Sequence, residues 1–264
     1  MAPIALASQA NPDRAEPVVR KIGMSDVRVA LAKGYQDFME TPTQLIFLGV
    51  IYPIVGFVAA RAASGGALLP LLYPLVAGLS LMGPIAALGI YELSRRREQG
   101  LPTSWVNAFD VLRSPAIGTI ATLGVVLSVI FVAWLFAAQA VYRATMGDQL
   151  PDGFWSLLRE VLTTGAGWSL ILWGNVVGFF FALLVLTLTV VSFPLLLDRD
   201  VGLRVAVQTS VRAVLRNPVP MAIWGVIVAV LLALGCVTLF VGLAVVMPLL
   251  GHATWHLYRR VVEA

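Results

Sequence analysis

The sequence predicts an all-α, polytopic membrane protein that crosses the bilayer six times as three helical hairpins, each preceded by a cytoplasmic, interfacial amphipathic helix. Three observations predict it. Of 264 residues, 59% are hydrophobic and 12% charged, against roughly 45–50% and about 25% in a typical soluble domain. The apolar residues gather in runs long enough to cross a hydrocarbon core of about 30 Å. Lys and Arg alternate between high and low counts in the segments joining those runs, the pattern that sets membrane orientation. One soluble core cannot hide such an apolar excess, because the surface would itself be apolar and would aggregate.

The first twenty residues include Asn11, Pro12, Asp13, Arg14, Glu16 and Pro17 and no apolar h-region. Residues 1–22 therefore read as a flexible polar tail rather than a cleavable signal, and residues 23–264 as a single membrane domain. The runs 43–60, 67–91, 116–141 and 168–197 each suffice for one crossing. The run 219–258 is about twice the needed length, and Gly235 and Cys236 near its middle divide it into two helices joined by a tight turn. Counting Lys and Arg segment by segment gives five before the first run, then one, four, two, four, none, and two after the last. Fifteen fall on one side and three on the other, which places both termini on the cytoplasmic face of a bacterial inner membrane. The net charge of +4 sits in short flanks of apolar runs and so points to anionic headgroups as partners, not nucleic acid. Cys236 is the single cysteine, which excludes an intrachain disulfide and a multi-cysteine metal site.

An internal repeat organises the chain. The segments 33–42 (KGYQDFMETP), 106–115 (VNAFDVLRSP) and 209–218 (TSVRAVLRNP) each end in two apolar residues, a charged residue, a small polar residue and proline. Each precedes an odd-numbered membrane run. In the first unit Val27, Leu31, Tyr35, Phe38 and Met39 share a helical face, as do Leu203, Val207, Val211, Val214 and Leu215 in the third. Arg204, Gln208, Arg212 and Arg216 line the opposite face of the third. The middle copy has Trp105, Phe109 and Leu112. Such helices lie in the membrane interface. The second membrane helix of each unit carries Pro84, Pro194 or Pro248. The units span about 25–98, 99–200 and 201–264, and the middle one carries an insertion at 153–164 that reads as a further interfacial helix on the outer side.

The stretches ALAKGYQDF at 30–38, ELSRRREQG at 92–100 and GHATWHLYRR at 251–260 resemble a family of bacterial integral membrane proteins called domain of unknown function 2189. The resemblance extends over nearly everything after residue 19. It implies a polytopic inner-membrane protein and brings no activity, substrate or binding residue with it. Some members carry names suggesting a haem–copper oxidase subunit. Two haems and a copper need several membrane histidines, and this chain has two in total.

Those two, His252 and His256, are the candidate metal or haem ligands, since a spacing of four places both on one helical face. The competing reading makes them part of an interface belt with Trp255 and Tyr258. No Asp or Glu falls mid-membrane by these boundaries, so no carboxylate stands at the depth of the pair, and proton-coupled transport, which needs embedded ionisable groups, is disfavoured. Asn175, between Gly174 and Gly178, reads as an interhelical hydrogen bond at a small-residue crossing. No Ser–His–acid set, nucleotide fingerprint or zinc-protease motif is present. The expected function is non-enzymatic and needs no cofactor: a scaffold, or an accessory or assembly partner of a membrane complex, with lipids and other membrane subunits as partners. A small-solute transporter or lipid-handling protein is the alternative, and a haem- or metal-binding membrane protein the third reading.

Overall fold

The computed structural model describes residues 17–41, 69–148, 151–238 and 240–263. Among them every regular element is a helix, apart from one isolated antiparallel bridge between Val19 and Val262. In chain order these are α1 (Met24–Glu40), a single 3₁₀ turn (Leu69–Leu71), α2 (Leu72–Leu81), α3 (Gly83–Ala86), α4 (Leu88–Glu98), a 3₁₀ helix (Trp105–Arg113), α5 (Ile117–Met146) and α6 (Phe154–Thr163). Then come α7 (Gly165–Thr189), α8 (Ser192–Asp198), α9 (Gly202–Arg216), α10 (Pro218–Val237) and α11 (Leu243–Val261).

Three runs are long and apolar enough to cross a membrane: Ile117–Met146, Gly165–Asp198 and Pro218–Val237. Only 22–33% of each apolar window is buried inside the protein. Their outer faces present Val129 and Phe136, Leu172, Phe179 and Phe180, and Val226 and Val237, a surface that lipid solvates and water does not. The spans pack on one another through large-into-small contacts. Trp134 of α5 is buried, lies against Gly178 of α7 and against Gly78 of α2, and donates its indole N–H to the Pro74 carbonyl at 2.8 Å.

Of the six expected crossings, the run 43–60 lies outside the described residues. Within 67–91 the described part is not one helix but α2, α3 and α4, broken at Met82 and Ala87; Pro84 lacks the N–H that a continuous helix would use and its ring crowds the preceding turn. The third and fourth runs are the first two long helices, the fourth interrupted at Val190 and Val191 just before Pro194. The last run divides as expected, with α10 ending at Val237 and α11 starting at Leu243. α11 is not among the three long apolar helices: its second half carries His252, His256, Arg259 and Arg260 and is buried by protein.

At one end of the spans α1, α4, α8, α9 and the second half of α11 form a tightly packed layer. α8 is buried from Ser192 to Leu197, and α4 over Ile90, Tyr91, Glu92, Leu93 and Ser94. Trp255, Leu257 and Tyr258 of α11 are almost completely enclosed. α1 runs antiparallel along α11: Arg20 N–H donates to the Val261 carbonyl at 2.7 Å, Gly34 abuts Ala253, and Asp37 reaches His256. α1 docks through Val27, Ala30, Gly34, Asp37 and Phe38, leaving Tyr35 and Met39 exposed, because a glycine permits a closer approach than the bulkier stripe would. Likewise α9 buries its small face of Ala206, Thr209, Ser210 and Ala213, and Leu215 is exposed.

Each proline-terminated segment stops its helix before the small polar residue: α1 at Glu40, the 3₁₀ helix at Arg113 and α9 at Arg216. A following proline disfavours helical geometry at that position. In the 3₁₀ helix, Trp105, Val106, Phe109 and Leu112 are all exposed, and α6 falls where a further helix was expected, with Trp155 and Leu162 exposed. The expected tail up to residue 22 is held at its end: Ile22 N–H donates to Asn217 Oδ1 at 2.8 Å, and Asn217 Nδ2 donates to the Arg20 carbonyl at 3.0 Å.

Candidate functional site

Three helices bring their polar side chains to one point inside the layer. Asp37 of α1 is buried and central. Its Oδ2 accepts from Ser94 Oγ of α4 at 2.9 Å and from His256 Nε2 of α11 at 2.8 Å, and its Oδ1 pairs with Arg97 Nε at 2.9 Å. Ser94 Oγ also lies 2.7 Å from His252 Nδ1. A hydroxyl has one proton, and here it goes to the carboxylate, so the imidazole donates at Nδ1. The resulting chain runs His252 Nδ1–H to Ser94 Oγ–H to Asp37, with His256 Nε2–H arriving from the other side. His252 and Ser94 are fully enclosed, and His252 Nε2 has no hydrogen-bond partner.

The electrostatics follow from this geometry. Burial pushes the Asp37 pKa up, but the His256 hydrogen bond and charge, the Ser94 bond and the His252 charge outweigh it, holding the carboxyl below its usual range. Asp37 is thus an anion at neutral pH, with donors on both oxygens. Arg97 extends the network to Glu40, which also accepts from Gln36 Nε2 at 3.2 Å.

A second knot lies on the same side of α11. Tyr258 Oη donates to Asp198 Oδ2 at 2.6 Å, and Arg259 bridges Asp198 at 3.2 Å and Glu98 at 3.0 Å. Trp255 Nε1 donates to the other oxygen of Glu98 at 3.1 Å. Beside this knot opens a pocket of about 220 Å³ lined by Arg20, Val29, Ala30, Lys33, Glu98, His256, Arg259 and Arg260.

The histidines identified from their spacing are therefore at the centre, in different surroundings from those expected. The expectation that no carboxylate shares their depth is corrected by Asp37, which the antiparallel docking of α1 carries to them. A Ser, a His and an acid do meet, but the hydroxyl stands between imidazole and carboxylate; in a hydrolytic triad the imidazole stands between hydroxyl and acid. Among the described residues no group of three or more His, Cys, Asp or Glu is arranged to hold a metal ion. The small-residue site is elsewhere. A Cβ at Gly178 would sit 3.2 Å from the Trp134 ring, Gly174 faces open space, and Asn175 Nδ2 donates within its own helix to the Ile171 carbonyl at 2.7 Å.

Asp37, Ser94, Arg97, Glu98 and Asp198 are the participants that spacing alone missed. The signal was present in another form: the stretches 30–38, 92–100 and 251–260 singled out from the sequence converge here. The model of a family described as "Predicted integral membrane protein (DUF2189)" matches residues 72–198. Over that span the chain resembles domain of unknown function 2189. No curated protein and no solved structure matches. The part matched to DUF2189 supplies Ser94, Arg97, Glu98 and Asp198, while Asp37 and both histidines come from outside it.

Proposed function

We propose that this integral membrane protein is a non-enzymatic scaffold, or an accessory or assembly partner of a larger membrane complex, in a bacterial inner membrane with both termini cytoplasmic. Its six crossings would form three hairpins, and its polar layer would be a rigid base for docking other subunits. The observation that carries this reading is the closure of the network. Asp37, Ser94, His252, His256 and Arg97 are committed to one another, and the serine hydroxyl and the His252 ring have no access to solvent. Such a buried network, although it leaves His252 Nε2 without a partner, ties three helices into one packing; a nucleophile or general base must instead reach its substrate. Isolating the protein from its native membrane in mild detergent tests the reading. Stoichiometric membrane subunits are expected to accompany it. A chain that is always isolated alone, and that moves small solutes across proteoliposomes, would instead establish the transporter alternative.

A further inference from the structure

We infer that the pocket between α1 and α11 is a binding site for a phosphate group, either free or borne by an anionic lipid. This goes beyond the scaffold reading, since it concerns a ligand of the isolated chain. Four cationic side chains line the pocket, Arg20, Lys33, Arg259 and Arg260, against one carboxylate, Glu98. Other carboxylates touch these cations: Glu263 bonds Arg20 at 3.1 Å, Asp198 bonds Arg259 at 3.2 Å, and Asp26 stands 3.6 Å from Arg260. They leave donors unused. A guanidinium has five N–H groups; Arg20 spends its Nε on Glu263, and the Arg260 contact is longer than a hydrogen bond. Lys33 has no ion-pair or hydrogen-bond partner among the described residues. His256 lines the pocket but keeps its Nε2–H on Asp37, so the anion's donors are the Arg and Lys side chains.

Shape restricts the ligand. A volume of about 220 Å³ lies below the roughly 300 Å³ at which pockets for drug-sized ligands begin, yet it exceeds several waters at about 30 Å³ each. One tetrahedral anion with residual water fits that space. Planar Arg forks and a Lys ammonium are the usual partners of such oxygens. Lys33 and Arg260 are exposed at the pocket rim and Arg259 is half-buried, with Arg259 and Arg260 on the last turn of α11.

The test uses the full chain in phosphatidylcholine nanodiscs, with and without phosphatidylglycerol, and follows thermal unfolding during titration with inorganic phosphate at constant ionic strength. A ligand that binds the native state alone raises the unfolding temperature saturably. Losing one charge-assisted hydrogen bond weakens binding roughly tenfold or more. That loss is expected for Lys33→Gln and for Arg260→Gln. Arg28→Gln removes the same charge from an exposed position of α1 outside the pocket and should leave binding unchanged. A response to inorganic phosphate identifies a free ligand; a response only to phosphatidylglycerol, abolished in the pocket variants, identifies a lipid headgroup. The proposal is overturned if neither probe stabilises the wild type, or if Arg28→Gln weakens binding as much as Lys33→Gln does.

Discussion

At the scale of single residues, Asp37 is where the layer is most vulnerable. Its two oxygens hold donors from α4 and α11, so removing its charge strands Arg97 and His256 against a neutral side chain. Asp37→Asn is expected to cost roughly 3 kcal/mol, the lower end of what breaking a buried ion pair costs, measured as a fall in thermal or denaturant midpoint in detergent. Ser94→Ala should cost less, about 1–3 kcal/mol, for leaving its buried partners unsatisfied. The acid response follows from the lowered pKa of Asp37. The unfolded carboxyl titrates near 3.9 and the folded one below that, so its stabilisation is complete above pH of about 4. It is lost as pH falls through the folded pKa. Stability profiles of wild type and Asp37→Asn should therefore run parallel above pH of about 5 and converge in acid; a constant offset down to full denaturation would show that the charge is not what Asp37 contributes.

At the scale of elements, glycine decides which faces meet. A Cβ on Gly34 would stand 2.5 Å from the Ala253 backbone, whereas one on Gly174 would meet nothing within 4 Å. Gly34→Ala must separate α1 from α11 and is expected to destabilise by roughly 1–3 kcal/mol, as overpacking does. Gly174→Ala should be neutral or slightly stabilising, since alanine favours helix; equal losses in the two variants would refute the assigned docking face. The same contrast explains what the sequence made legible. Apolar runs and prolines announced the long helices and the ends of α1, the 3₁₀ helix and α9, because length and local backbone chemistry determine those. The docking faces of α1 and α9 were not legible, because close approach through Ala30, Gly34 and Ala213 outweighs the bulkier stripes that periodicity finds. His252 and His256 stood out by spacing alone. Asp37 did not, since only tertiary packing brings residues 219 positions apart together.

At the scale of the whole molecule, charge and packing agree on which helix ends share one face. Arg20, Arg95, Arg96, Arg97, Arg199, Arg259 and Arg260 gather on one side, tied to Asp26, Asp37, Glu92, Glu98, Asp110, Asp198 and Glu263. α5 starts beside this layer, where Ala116 and Ile120 join its core. It then runs 30 residues, about 45 Å at 1.5 Å per residue, which carries Arg143 and Asp148 to the far side of a hydrocarbon core of about 30 Å. Few cations stand there, and Lys and Arg mark the cytoplasmic side. A reporter fused after Glu263 and one inserted between Glu98 and Pro102 are therefore expected to be cytoplasmic, and one inserted at Gly147 to be on the opposite side. The layer tests this independently of the charge rule. The Glu98–Arg259 and Asp198–Arg259 pairs require the ends of α4, α8 and α11 to share one aqueous face whichever way the protein is inserted. Reporters at Glu98 and Glu263 on different sides would overturn the packing itself, whereas all three reporters reversed together would overturn only the orientation.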